Sequence, residues 1–424
     1  MNNLVIDGKI LFSREESSAE ETELFRYIMK VIYIRKQSYI LLIGVGFVLA
    51  VLFLLNIRNG ERVANSRKNN AEIINRRVPL HNLCNTALDL REKVDRYEIS
   101  GSGKYNFSYC MVYKAATTTW LRIIRFLNGE DLSLKSPFDS SKYRTHYYNA
   151  SKFIPYFKYN QNQDFLDNSL RVMTVRDPYT RLWSAYIDKF LLPDFWHTRG
   201  RCIVNLLRKR KADQTSLRCG HNVTFKEFVE YVVSPNEESK RWHQDKHWIP
   251  ATEMCRLDQF KPHIILKQEN LRKDIFKIFK KLNLPASIDK TSSEDLTDYE
   301  MMDQLDYVFK VSNFDCVSPA TLGERIWKAF QYNSYIPLEI MYPKDEFHNN
   351  LTMENMRSVL RSRRESWLVK SEVKKLQKRE AMISAYKTVP LKTLYELRNY
   401  YKDDFKAFGY ESKPSDIFEP FIGS

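Results

Sequence analysis

Two short segments hold the side chains best suited to chemistry. Lys114-Ala-Ala-Thr-Thr-Thr-Trp120 follows the apolar run Phe107-Ser-Tyr-Cys-Met-Val-Tyr113, and Arg176-Asp-Pro-Tyr-Thr-Arg-Leu-Trp-Ser184 follows Arg171-Val-Met-Thr-Val175. Each reads as a buried strand, a tight polar turn and the start of an amphipathic helix. Free N–H groups and the positive dipole end make a helix start an anion site. Lysine with hydroxyls in one turn, and arginine with serine in the other, suit a ligand that carries two separate phosphate groups. Between them lies His146, in the polar, aromatic-rich stretch Tyr143–Tyr148. A neutral imidazole is well tuned to accept a proton. His243, His247 and Glu269 are further candidates for that role.

Strands must present these turns at one edge. Alternating strand and helix patterns, with a third candidate strand at Pro262–Leu266 and a helix over Leu271–Leu282, predict an α/β fold: a parallel sheet flanked by helices. Ligands of such sheets sit at the carboxyl ends of the strands. Thr224 is placed to cap a helix with Phe225, Phe228, Val229 and Val232 on one face, and residues 288–390 read as mostly helical. Pro178 fits the first position of its helix. The order of residues around Lys114 is not G-x-x-x-x-G-K-[ST], which argues against a kinase or ATPase. His243 and His247 have zinc-like spacing but no glutamate after the first histidine, so no metal site is expected. Cys202 and Cys219 are close enough in sequence for a local disulfide.

The chain has 424 residues and a net charge of +15, and its first 36 residues carry equal numbers of acids and bases, so the excess lies beyond them. That favours an anionic partner. Residues 37–57 contain no charge, and the apolar run from Tyr39 to Leu55 is long enough to cross a hydrocarbon core of about 30 Å. It begins too far into the chain for a cleaved signal peptide. All six cysteines and all four N-x-S/T sequons (Asn106, Asn149, Asn222, Asn350) follow that run. This fits an oxidising, glycosylating lumen. The expected organisation is a cytoplasmic tail (1–36), a signal-anchor (37–57), a stem (58–104), a lumenal domain (105–411) and a tail (412–424). A nucleic-acid partner is disfavoured by the same features, and the sequence allows a homodimer.

The two turns resemble those of the Golgi carbohydrate sulfotransferases of the chondroitin 4-O-sulfotransferase type. Val175–Phe190 follows that family's second motif almost position for position, and Tyr113-Lys-Ala-Ala-Thr-Thr-Thr-Trp120 follows the first more loosely. His247-Trp-Ile-Pro250 with Cys255, Lys267-Gln-Glu-Asn-Leu271 and Tyr401–Tyr410 extend the likeness over about residues 105–410. Tyr113 stands where the family usually has proline, Thr117 where it has cysteine, and Asp258 where a second cysteine is usual. The disulfide pattern therefore does not carry over.

The resemblance implies a P-loop-NTPase-like parallel sheet preceded by one transmembrane helix. It also implies a metal-free enzyme using 3′-phosphoadenosine-5′-phosphosulfate (PAPS) as co-substrate. Lys114 is expected on the 5′-phosphosulfate and the leaving oxygen, with Ala115, Ala116, Thr117, Thr118, Thr119 and Trp120 forming the rest of that turn. Arg176 and Ser184 are expected on the 3′-phosphate, and His146 as the base. Arg181 is expected to pair with Asp177 or Asp188. The acceptor would be a hydroxyl of a chondroitin- or dermatan-like glycan, reached in the Golgi lumen by a type II membrane protein. The alternative is a catalytically inactive relative that binds acidic glycans.

Overall fold

The computed structural model describes residues 98–130, 136–157, 161–208, 211–234, 245–284, 293–311, 315–347, 351–365 and 371–419. The expected cytoplasmic tail, membrane span and most of the stem lie outside them, as do His243, Cys84 and Asn350. Among the described residues no helix is long and apolar enough to cross a membrane.

Five strands form the sheet: β1 (Ile99–Ser102), β2 (Phe107–Cys110), β3 (Tyr156–Phe157), β4 (Leu170–Val175) and β5 (Ile264–Lys267), in the order β3-β1-β2-β4-β5. The three expected strands are β2, β4 and β5, and they run parallel. The purely parallel sheet is corrected, because β1 pairs antiparallel with both β2 and β3. β1 also falls inside the stretch read as a stem. Its Ile-Ser-Gly-Ser sequence has one β-branched apolar residue and no alternation, so it carries no strand signal. It pairs through a tight turn at Gly103–Tyr105, closed by Asn106 at φ 44°. Gly101 lies where a β-carbon would stand 2.0 Å from the Phe107 carbonyl oxygen.

Helix α1 (Thr117–Leu127) follows β2 and buries Trp120, Leu121, Ile123, Ile124 and Leu127 against the sheet. Trp120 is stacked on Tyr109 and Phe107, and its indole N–H donates to Thr174 Oγ1 of β4 at 2.8 Å. Truncating such a residue costs about 3–5 kcal/mol. Helix α2 (Lys142–Tyr147) packs against α1. Buried Arg125 of α1 pairs with Glu130 and donates to the carbonyls of Thr145 and Tyr148, which fixes the frame that carries His146.

Helix α3 (Pro178–Tyr186) follows β4, with Pro178 in its first turn as expected and Asp177 as its N-cap, accepting from Thr180 N at 2.8 Å. It continues into a π-helical turn, Ile187–Leu191. Helix α4 (Phe225–Val233) has the expected buried face, and Thr224 and Glu227 close a reciprocal capping box. After α5 (Ala251–Cys255) and α6 (Leu271–Lys281), the long helix α7 (Ser293–Val311) returns to α2. Here Asp303 accepts from Lys142 N at 2.8 Å and pairs with Arg122 of α1 at 2.6 Å.

Cys110 at the end of β2 is bonded to Cys255, and Cys219 to Cys316. The expected Cys202–Cys219 bond is therefore corrected. Arg218 donates to the Cys316 carbonyl at 3.1 Å, which holds that remote loop beside Cys219. Separation in sequence says little about where two cysteine side chains point.

Candidate active site

The turn after β2 has an unusual backbone. Lys114 and Ala116 both have positive φ, 65° and 62°, although neither is glycine. Each such residue costs of order 1–3 kcal/mol and persists where the surroundings impose it. Alternating left-handed residues curl successive N–H groups towards one point, making a concave anion nest. Ala116 is the N-cap of α1 and offers no side-chain acceptor. The first N–H groups of α1 therefore have no cap drawn from that residue. Ala115 is buried, and its N–H donates to Val112 O at 3.1 Å. The Thr117 hydroxyl also donates to Val112 O, at 2.9 Å.

The turn after β4 meets it. Arg176 reaches across and donates from Nη1 to Lys114 O at 3.3 Å. Both turns open on one cleft of about 570 Å³, whose walls include Lys114, Ala116, Thr117, Thr118, Thr119, Arg176 and Ser184. His146 and His247 line it as well. The structure thus brings together nearly all the expected site residues. Ala115 and Trp120 are the exceptions: both are buried behind the turn, Trp120 at 1% exposure and held by the Thr174 hydrogen bond.

The two candidate histidines that line the cleft differ. His146 is half-buried, with Nε2 3.1 Å from the Thr118 hydroxyl. Burial, with Lys142 and Lys189 adding to it, pushes its pKa down to about 3. His247 is only 8% exposed, its Nδ1 2.6 Å from Asp245 and its ring at the edges of Tyr113 and Phe195. Burial first, then Lys189, lowers it to about 4 despite Asp245. Both are neutral at physiological pH and able to accept a proton. Glu269 is committed elsewhere: it accepts from Asp177 N at 3.0 Å and from the Tyr410 hydroxyl at 2.9 Å.

Arg181 departs from expectation. Its guanidinium is not paired with Asp177 or Asp188; it donates to the carbonyls of Tyr113 (2.8 Å), Ile249 (2.7 Å) and Lys246 (3.4 Å). Asp177 is occupied by the α3 N-terminus, and Asp188 by lysines. Tyr113, which stands where the resemblance leads one to expect proline, links the Lys114 turn to the His247 segment. Its hydroxyl donates to Glu98 and accepts from Lys246, whose ammonium also lies over the ring at 4.4 Å.

Sequence reasoning gave no role to Lys142 or Lys189, and Asp188 only a wrong one. Asp188 and Lys189 lie in the quoted Val175–Phe190 motif, so a signal was present. Lys142 sits in a serine-rich stretch and had none.

Residues 97–305 match the Sulfotransferase family. That segment is just under half of the chain, which is similar to sulfotransferases over this length. It is 26% identical over 260 residues to Carbohydrate sulfotransferase 10 of Xenopus laevis, covering 60% of this chain and 71% of that protein. It is 28% identical over 209 residues to Carbohydrate sulfotransferase 9 of Homo sapiens (47% of this chain, 46% of that one). To Carbohydrate sulfotransferase 11 of Danio rerio it is 29% identical over 170 residues (39% and 47%). The match spans about half the length of the latter two relatives. No solved structure matches the chain. The family implies PAPS as sulfate donor, and the nest at Lys114–Ala116 together with Arg176 fits a ligand with two anionic ends. Among the described residues, no three acidic, histidine or cysteine side chains gather as a metal site.

Lys114 itself is tuned. Burial lowers its ammonium to about 8, against the pull of Asp188 and with help from Lys142 and Lys189. A charge needed for an anionic donor is then lost as pH rises through that value. Because kcat/KM reports the free enzyme, kcat/KM for PAPS should be level from about pH 5 and fall above about pH 8. The acid side stays flat because the histidines are already neutral there. Rates measured from pH 5 to 10 check this, and a profile still rising at pH 9 would contradict it.

Proposed function

We propose that the chain is a carbohydrate O-sulfotransferase that moves the sulfuryl group of PAPS to a hydroxyl of an anionic, chondroitin- or dermatan-like glycan. On this reading it acts in the Golgi lumen as a single-pass type II membrane protein, with residues 105–411 as its lumenal domain. The observation that carries the reading is the meeting of Lys114 and Arg176 in one cleft beside a neutral histidine. Lys114 and the N–H groups at the start of α1 hold the 5′-phosphosulfate; Arg176 and Ser184 hold the 3′-phosphate. Planar guanidinium suits phosphate. His146 is the base, since it is the more open of the two imidazoles and touches Thr118 of the nucleotide turn. The reading requires no metal. The net charge of +15 suits an acidic acceptor.

The test is transfer of label from ³⁵S-PAPS by the full chain to a panel of desulfated glycans, chondroitin and dermatan included. His146→Ala should lower kcat about 10²–10⁴-fold, the span of general base catalysis, while binding of adenosine 3′,5′-bisphosphate stays near wild type. A wild-type rate in that variant, with the loss appearing in His247→Ala, would move the role to His247.

A further inference from the structure

Three lysines from three separate elements converge on one carboxylate. Lys114 Nζ of the nucleotide turn lies 2.9 Å from Asp188, Lys142 Nζ of α2 3.2 Å, and Lys189 Nζ of the π-helical turn 3.3 Å. All four side chains are at most 18% exposed, and all line the cleft. Lys189 also pairs with Asp194, and Lys142 donates to Gln304 at 2.9 Å and lies 4.2 Å over the Tyr307 ring. Two carboxylates thus face three ammonium groups, and the cluster keeps an excess positive charge. An excess buried cation is costly unless an anion arrives to meet it.

We propose that Asp188 is a positioning residue that gathers Lys114, Lys142 and Lys189 into one cationic platform for the transferring sulfuryl group, and that the donor's phosphosulfate oxygens take Lys114 over from Asp188 on binding. This rests on the sulfotransfer reading and names the parts of the site that face the sulfur. The acceptor oxygen bonds to sulfur as the bond from sulfur to the 5′-phosphate oxygen breaks. The electron pair of that bond stays on the phosphate oxygen, where Lys114 donates, and the hydroxyl proton passes to His146. Lys142 and Lys189 face the oxygens that remain on sulfur throughout. Fixed donors aimed at such oxygens need no reorganisation during the reaction.

The groups that act on Lys114 are Asp188, Lys142 and Lys189, with His247 beyond them and Asp194, Glu300, Asp303 and Tyr307 along the same walls. The Arg176 guanidinium meets the carbonyl of Lys114. Asp188 is the carboxylate among them that contacts the Lys114 ammonium. Asp188→Asn should therefore move the alkaline limb of kcat/KM down by about one pH unit or more, as loss of an opposite charge at this range does. It should lower kcat on the order of 100-fold, the cost of a misplaced reacting group. Binding of adenosine 3′,5′-bisphosphate should be kept or tightened, and Asp188→Glu should return the limb towards wild type. Lys142→Met, which removes a repelling charge, should move the limb up, and it decides the matter if Asp188→Asn does not fold. A limb unmoved in the folded variants would overturn the proposal. If wild type itself fails to bind the bisphosphate, the sulfotransfer reading falls instead.

Discussion

Lys114→Ala is expected to lower sulfate transfer by about 10³-fold or more while the protein stays folded. A single fixed donor to a developing oxyanion is worth about 10²–10³ in kcat. Lys114 exceeds a single neutral donor, because it carries a charge and lies beside the start of α1, whose first N–H groups have no side-chain cap. The fold tolerates the change. Lys114 packs in the cleft wall rather than the core, and its partner Asp188 keeps Lys142 and Lys189. Alanine already occupies φ 62° two residues on. The check is the labelled-transfer rate beside a thermal melt. A folded variant that keeps the wild-type rate would remove the turn after β2 from the chemistry.

The largest effect on stability is expected at Arg181. Its guanidinium is 1% exposed and holds three carbonyls, from Tyr113, Ile249 and Lys246. Hydrogen bonds from a charged donor contribute about 1.5–3 kcal/mol each, and carbonyls left unpaired in the interior add a penalty. Arg181→Ala should therefore cost about 4 kcal/mol or more, seen as a lower urea midpoint with the slope unchanged. Arg181→Lys should recover little, since one ammonium lacks the planar fork that reaches separate acceptors. Donor binding should weaken too, because Tyr113 is the residue before Lys114. An Arg181→Ala variant with a wild-type midpoint would refute this account.

These two residues mark what was legible in the chain. The position of Lys114 and Arg176 on the cleft wall was legible because each closely follows a buried apolar run, and that of Ser184 because it lies two helical turns beyond Arg176. The sheet's parallel half was readable from β2, β4 and β5, whose apolar runs are bounded by polar turns. β1 was not, because its four residues carry no strand pattern and form one only by pairing with β2 and β3. Arg181 was misread for a related reason. Charge suggests an acidic partner, but backbone carbonyls leave no trace in a sequence. Asp188 was visible as a residue and opaque as a hub, since Lys142 reaches it from 46 residues away. Disulfide pairing failed on the same ground: proximity along the chain gave Cys202 for Cys219, and folding gave Cys316.

The segment carrying His247 is clamped from far along the chain. Asp404, in the helix Lys402–Phe408, accepts from Ala251 N (2.7 Å), Thr252 N (2.8 Å) and the Thr252 hydroxyl (2.7 Å), and the Tyr401 hydroxyl donates to Trp248 O. Those contacts join residues more than 150 positions apart. During synthesis, then, the turn at Lys114 leaves the ribosome long before the residues that clamp the His247 segment. A nascent chain released short of residue 404 would carry both turns and still lack the clamp on the His247 segment of the cleft.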